Sequence, residues 1–189
     1  MELLTGIFTA FGLSASAGLN AYIPLIIISL IAKFTNLINL QSPWNTLTDW
    51  WVIGLLSLLI VVEFFADKLP AVNHVNDLIQ TFVRPVAGAI VFAASANVIT
   101  DISPILSLGA GLLVAGGVHT AKSVVVRPAI TATTGGVANT PVSIAEDIIS
   151  TFLSIFAILI PIIIGIILVL ITTTFIWAKW RKANALQAS

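Results

Sequence analysis

Five strongly apolar stretches of the chain carry no charged residue: 3–32, 50–62, 85–100, 102–121 and 148–178. Runs of this length and apolarity constrain the fold more than any other feature. An apolar helix of about 20 residues spans the roughly 30 Å hydrocarbon core of a bilayer, and the matching solvent for such a surface is lipid. Composition agrees: 58% of the 189 residues are hydrophobic, 8% are charged, and the mean hydropathy is +1.10. A soluble domain carries about 25% charge, so a soluble globular fold is excluded. The five runs therefore predict an all-α integral membrane protein with about five apolar helical segments, forming a single transmembrane domain over 1–189.

The flanks carry matching markers. Trp44, Trp50 and Trp51 lie before and at the start of the second run, and Trp177 and Trp180 at the end of the last, as interfacial aromatic belts do. Asn36, Asn39, Pro43 and Asn45 form a first loop. Asp101, Ser103 and Pro104 form a tight turn, and 131–141, rich in Thr and Gly, reads as a longer connection. Ala15-Ser16-Ala17 has the small-x-small form of a signal-peptidase site, but no basic leader precedes it, so the first segment is expected to be retained as structure.

Two runs exceed one straight crossing. The 30 residues of 3–32 would make a helix of about 45 Å, and 148–178 has the same excess. The first contains Gly12, Ser14, Ser16, Gly18, Asn20 and Pro24, the last Pro161 and Gly165. Glycine costs a helix about 1 kcal/mol and proline about 3. The first segment is accordingly expected to be broken or re-entrant at its serine-glycine stretch. The last is expected to tilt, kink or begin outside the hydrocarbon.

An internal repeat is suggested. Asp77-Leu-Ile-Gln-Thr-Phe82 and Asp147-Ile-Ile-Ser-Thr-Phe152 agree at four of six positions, each after a proline, Pro70 and Pro141. Upstream, Gly18-Leu19-Asn20 aligns with Gly117-Val118-His119. Half-repeats of 1–100 and 101–189 follow, parallel or inverted, an arrangement small transporters use to place a site between broken helices. The alternative is chance agreement within glycine-rich apolar sequence.

Several polar residues are candidates for chemistry. Glu63 and Asp67, four apart, share a helix face, where like charges repel. A proton, a pairing with Arg84 or Lys68, or a bound hard cation would relieve them, so this pair is the candidate metal site. The alternative is an interfacial ion-pair network tying helix ends together. His74, Asn76 and Asp77 extend the cluster. Asn20, beside Tyr22, lines a pathway or makes a helix–helix hydrogen bond, and Ser14, Ser16 and Gly18 line the same pathway or serve close packing. His119 and Lys122 form a pair at membrane depth, or snorkel at its edge. Arg127-Pro128 echoes Arg84-Pro85, either as anion-binding bends or as plain interfacial arginines. Glu146 and Asp147 read as first-turn acids of a helix.

The sequence argues against other classes. A formal charge of zero and a pI near 6.7 leave no basic patch for nucleic acid. Without cysteine there is no disulfide, thiolate metal site or thiol nucleophile. No Walker loop, H-E-x-x-H or G-x-S-x-G is present, so no enzyme activity and no cofactor are expected. With five crossings, Lys33, Lys179, Arg181 and Lys182 balance Lys68, Arg84, Lys122 and Arg127 across the membrane. Weighting the tail places the C-terminus in the cytoplasm; the tie also admits dual insertion as an antiparallel dimer.

Gly12-Leu-Ser-Ala-Ser-Ala-Gly-Leu-Asn-Ala-Tyr-Ile-Pro24-Leu25, then Glu63-Phe-Phe-Ala-Asp67-Lys68-Leu-Pro70, then Phe82-Val-Arg84-Pro85-Val-Ala-Gly88 together resemble the domain-of-unknown-function 4126 family. The resemblance implies a bacterial multi-pass protein, expected in the inner membrane, and brings no catalytic or ligand residues. Two functions follow as expectations: a small transporter or channel for an ion or polar solute, with lipids around it and as a homo-oligomer, or a non-transporting scaffold or lipid-binding subunit.

Overall fold

The structure, a computed structural model, describes residues 2–68, 70–96 and 103–187. Among these the chain is α-helical without strands. Seven α-helices follow in order: α1 (Glu2–Leu19), α2 (Tyr22–Phe34), α3 (Trp50–Lys68), α4 (Pro70–Ala96), α5 (Pro104–Ala121), α6 (Arg127–Thr134) and α7 (Asn139–Gln187). A 3-10 turn, Trp44–Thr48, leads into α3, and a π-helical turn, Lys122–Val126, joins α5 to α6. Asp101, in the expected turn, lies outside the described residues, as do the side chains of Lys68 and His74.

Among the described residues four helices are long and apolar enough to cross a membrane, over Trp50–Asp67, Asn76–Ala96, Pro104–Thr134 and Asn139–Pro161, and two shorter apolar helices, Gly6–Leu19 and Tyr22–Phe34, accompany them. The charge-free runs locate these elements but misjudge their ends. α4 begins at Pro70, 15 residues before the run 85–100, because the bundle pairs the charges of its first turns internally. The expected connection over 131–141 shrinks to Gly135–Ala138. Thr133 and Thr134 stay helical, their hydroxyls donating back to the Ala129 and Ile130 carbonyls. Gly135 and Gly136, with φ of 62° and 88°, then take the left-handed conformation that reverses the chain into α7.

The first segment is broken, but not at its serines. α1 runs unbroken through Ser14, Ser16 and Gly18, and the interruption falls at Asn20–Ala21. Pro24 explains the position. It has no N–H for the carbonyl four residues earlier, Asn20, and its ring crowds that carbonyl. The Asn20 side chain completes the break: its Oδ1 accepts from the backbone N–H groups of Tyr22 (3.0 Å) and Ile23 (3.1 Å), capping α2. Pro161 lies inside α7 without ending it. The carbonyl it leaves without a helical donor, Ala157, accepts a hydrogen bond of 2.8 Å from Thr9 of α1.

The core sits where α1, α4, α5 and α7 converge. Leu13, Ala17, Val91, Ala94, Ala115 and Ile158 are fully or nearly fully enclosed there. Small residues let the backbones approach, as in membrane helix pairs. A Cβ on Gly111 would meet the Gly88 carbonyl and Phe92, and one on Gly18 would meet the Ala115 carbonyl. Hydroxyls stitch the seam. Ser14 donates to the Gly111 carbonyl (2.8 Å), and Ser16 bonds Ser150 (2.7 Å) and Ser154 (2.7 Å) of α7.

Candidate functional site: a buried ionic core

Beside this neutral seam lies a charged one. Arg84 of α4 is fully buried, eight residues (84 − 76) into the span that opens at Asn76. Its Nη2 donates to Glu63 Oε1 of α3 at 3.1 Å and lies 3.9 Å from Asp67 Oδ2, one helical turn further on. Its Nη1 meets Nδ1 of His119 on α5 at 3.3 Å, and the other ring nitrogen meets the Thr81 hydroxyl at 3.2 Å. Guanidinium geometry suits such a role, since its donors fan out in one rigid plane.

Asp67 is the hub between this inner part and the helix ends. Its Oδ1 accepts from Asn76 (2.6 Å), and its Oδ2 from Ser143 of α7 (3.0 Å) and Arg127 of α6 (3.3 Å). Arg127 also grips both oxygens of Asp77, at 2.9 and 3.0 Å, and lies 3.5 Å from Glu146. Lys122, at the start of the π turn, pairs with Glu146 at 2.7 Å and donates to the Leu19 carbonyl at 3.1 Å. It thereby places a cation on the C-terminal end of α1, the negative end of its dipole. Asn20 Nδ2 donates to Asp147 at 3.0 Å, so the break in the first segment is tied to α7.

The two carboxylates read as a cation pair are thus bridged by guanidinium groups, and among the described residues no three His, Cys, Asp or Glu side chains converge as a metal site. Glu63, Asp67, Asp77, Arg84, His119 and Lys122 come together in one network, with Asn20 at its margin. Ser14, Ser16 and Gly18 do not join it and belong to the neutral seam. Tyr22 stands between the network and the apolar side: its hydroxyl borders Gln80 and Glu63, and its ring lines a groove of about 320 Å³ formed with Leu25, Leu56, Phe82, Val83, Val86, Ala87 and Ile90.

Three members had no role in the sequence reading beyond a helix start or a flanking position: Gln80, Ser143 and Glu146. A periodic signal was present. Asn76, Gln80 and Arg84 recur every fourth residue along α4. Ser143, Glu146, Asp147, Ser150 and Ser154 recur at threes and fours along α7, a polar stripe on an otherwise apolar helix.

The network is incompletely satisfied. Glu63 Oε2, Gln80 Oε1 and Arg84 Nε are buried without a hydrogen-bond partner among the described residues. Buried polar atoms are almost always paired, and orphans in a low-dielectric interior are costly.

Together the apolar spans and the enclosed charges define an α-helical integral membrane protein with an ionic core. More specifically, residues 7–181 match the sequence profile of a domain of unknown function (DUF4126), and the chain belongs to that family. No curated protein and no solved structure matches it.

Proposed function

We infer that the protein is a small membrane transporter or channel for an ion or small polar solute, and that Glu63, Asp67, Arg84, His119 and Lys122 form its working element, with Asn20 and Tyr22 beside them. The observation that carries this reading is the trio of orphaned buried atoms on Glu63, Gln80 and Arg84. A purely structural clamp gains nothing from unpaired polar atoms in lipid, whereas a site that binds and releases a charged or polar species needs free valences between events. Ionisable groups inside spans are expensive, at about 2.5–3.5 kcal/mol each on insertion scales, and mark pathways and relays.

The two halves support the same reading. Asn20, in the break of the first segment, bonds Asp147 of the second half, while His119, its counterpart by the sequence repeat, bonds Thr81 and Arg84 of the first. Repeat-built transporters place their site between the halves, at discontinuous helices; Asn20 supplies such a break, and His119 sits on the continuous α5 just before its π turn. Asn20–Ala21 then serves as the interruption of a re-entrant first segment, the working unit is a homo-oligomer in a bacterial inner membrane, and the C-terminus faces the cytoplasm.

Flux in proteoliposomes across a broad panel of ions and small solutes tests the proposal. Wild type should pass at least one species. Glu63→Gln and Asp67→Asn should abolish that flux and Asn20→Ala should weaken it. No flux of any species in folded wild type removes the reading.

The groove beside Tyr22 favours a second reading, a lipid-binding subunit. Its lining is apolar apart from the Tyr22 hydroxyl and has the character of an acyl-chain slot. Native mass spectrometry decides this: retention of lipid that Ala87→Phe displaces, in a protein without flux, selects it.

A further inference from the structure

The orphaned oxygen of Glu63 belongs to a group whose surroundings can be counted. Glu63 is 2% exposed and sits one turn inside the end of its span. Only Oε1 is bonded, to Arg84. The groups facing it are Asp67 on its own helix, Arg84 of α4, Lys122 of the π turn and Tyr22 of α2, which in turn neighbours Gln80 of α4. From α7, which also packs on α3, Ser143 bonds Asp67, and Glu146 is held by Lys122. Two of the orphans, Glu63 Oε2 and Gln80 Oε1, are acceptors, on side chains that both lie beside Tyr22. As a carboxylate, Glu63 has no hydrogen to donate.

A proton supplies one. Bound to Glu63 Oε2 it gives the carboxyl an O–H to donate and removes a buried charge from lipid depth. It also frees Arg84. Nη2 stands 3.1 Å from Glu63 and 3.9 Å from Asp67, so one carboxylate holds it and the next is just beyond hydrogen-bond reach. Asp67 Oδ2 is at the same time the atom that Arg127 and Ser143 hold.

We propose that Glu63 is a proton-binding site within the membrane, and that its occupancy decides whether Arg84 belongs to Glu63 or to Asp67. Protonation forms the O–H bond on Glu63 and breaks its ion pair with Arg84. Arg84 then closes on Asp67 and competes there with Arg127, passing the event from α3 and α4 to α6 and α7. Release of the proton restores the present arrangement. The inference deepens the transport reading by naming the coupling ion.

Infrared difference spectra of the detergent-purified protein, taken between alkaline and acidic buffer, read the site directly. A carboxylic-acid C=O band should grow on acidification, disappear in Glu63→Gln and persist in Asp67→Asn. Gln80→Leu, which keeps Glu63, should shift the band because the nearby acceptor is gone. This arm holds even where Glu63→Gln does not fold. Spectra identical in wild type and Glu63→Gln, or a band unmoved by Gln80→Leu, overturn the proposal. So does a band suppressed by sodium or potassium at constant pH, which would assign the corner to a metal cation. Flux without the band defeats this inference alone. The band without flux for any species defeats the transport reading and leaves the proton site standing.

Discussion

The serine-glycine seam and the ionic core lie side by side in the same bundle and solve opposite problems. Both bury polar atoms in a lipid environment. In the seam every polar side chain is neutral and short, and the hydroxyls of Ser14, Ser16, Ser150 and Ser154 all find partners across α1, α5 and α7. In the core most side chains are long and ionised, and Glu63 Oε2, Gln80 Oε1 and Arg84 Nε find none, as do the Ser95 and Ser107 hydroxyls elsewhere among the described residues. Satisfied, neutral contacts bring backbones together and fix them. Unsatisfied, charged ones keep a set of nearly equivalent pairings available. On the proposed reading, the same membrane holds one region that stays put and another that changes partners.

That contrast can be broken most forcefully at Arg84. Arg84→Met leaves Glu63 and Asp67 buried without their shared cation, and breaking a buried pair in this way costs about 3–5 kcal/mol. Thermal unfolding in detergent should show it as the largest loss of any single substitution in the protein. Adding Glu63→Gln to Arg84→Met should recover part of the loss, because it removes the charge left behind; a double variant worse than the single one would mean the two side chains do not form a unit.

In the seam, volume is what matters and charge is not. Gly111→Val should cost about 1–3 kcal/mol by forcing α5 away from Gly88 and Phe92. Gly117→Ala, where nothing lies within 4 Å of the added carbon, should be neutral or stabilise by up to about 1 kcal/mol. Equal thermal shifts for the two would show that α5 does not pack as closely on α4 as described.

Hydroxyl removal should have smaller effects. Ser16→Ala gives up the links to Ser150 and Ser154, and side-chain hydrogen bonds between membrane helices average about 0.6 kcal/mol with a maximum near 1.7. Stability should fall slightly while any flux is unchanged. Loss of flux in Ser16→Ala with full stability would move the pathway into the seam. Thr9→Val should be smallest, at or below the same average, unless Pro161 makes its acceptor unusually needy.

Much of this was legible in the sequence, and what was not has physical reasons. Charge-free runs located the spans because lipid admits few charges, and Trp50 and Pro104 open α3 and α5 as interfacial and helix-start residues do. The runs failed where charges are neutralised inside the bundle. Asp77 and Arg84 looked like the edge of a segment and are interior to α4, since pairing with Arg127 and Glu63 is invisible along one dimension. The break expected in the first segment is found there, at Asn20 and through Pro24 of the cluster that marks it rather than at the serines and glycines. Serine and glycine weaken an isolated helix, yet here the neighbouring helices satisfy the one and exploit the other. Pro24, whose effect reaches four residues upstream, sets the break whatever the neighbours do. The Glu63–Asp67 pair was legible as a strained spacing. That two arginines would answer it required knowing which helices meet.

The bond from Thr9 to the Ala157 carbonyl joins positions 148 residues apart in the chain. Helix α1 thus finishes α7, closing a gap that α7 cannot close from its own backbone. A bend of α7 at its proline must be registered in α1, and loosening α1 would slacken α7. The bundle is in this sense a clasp, with its hook on α1 and its eye on α7.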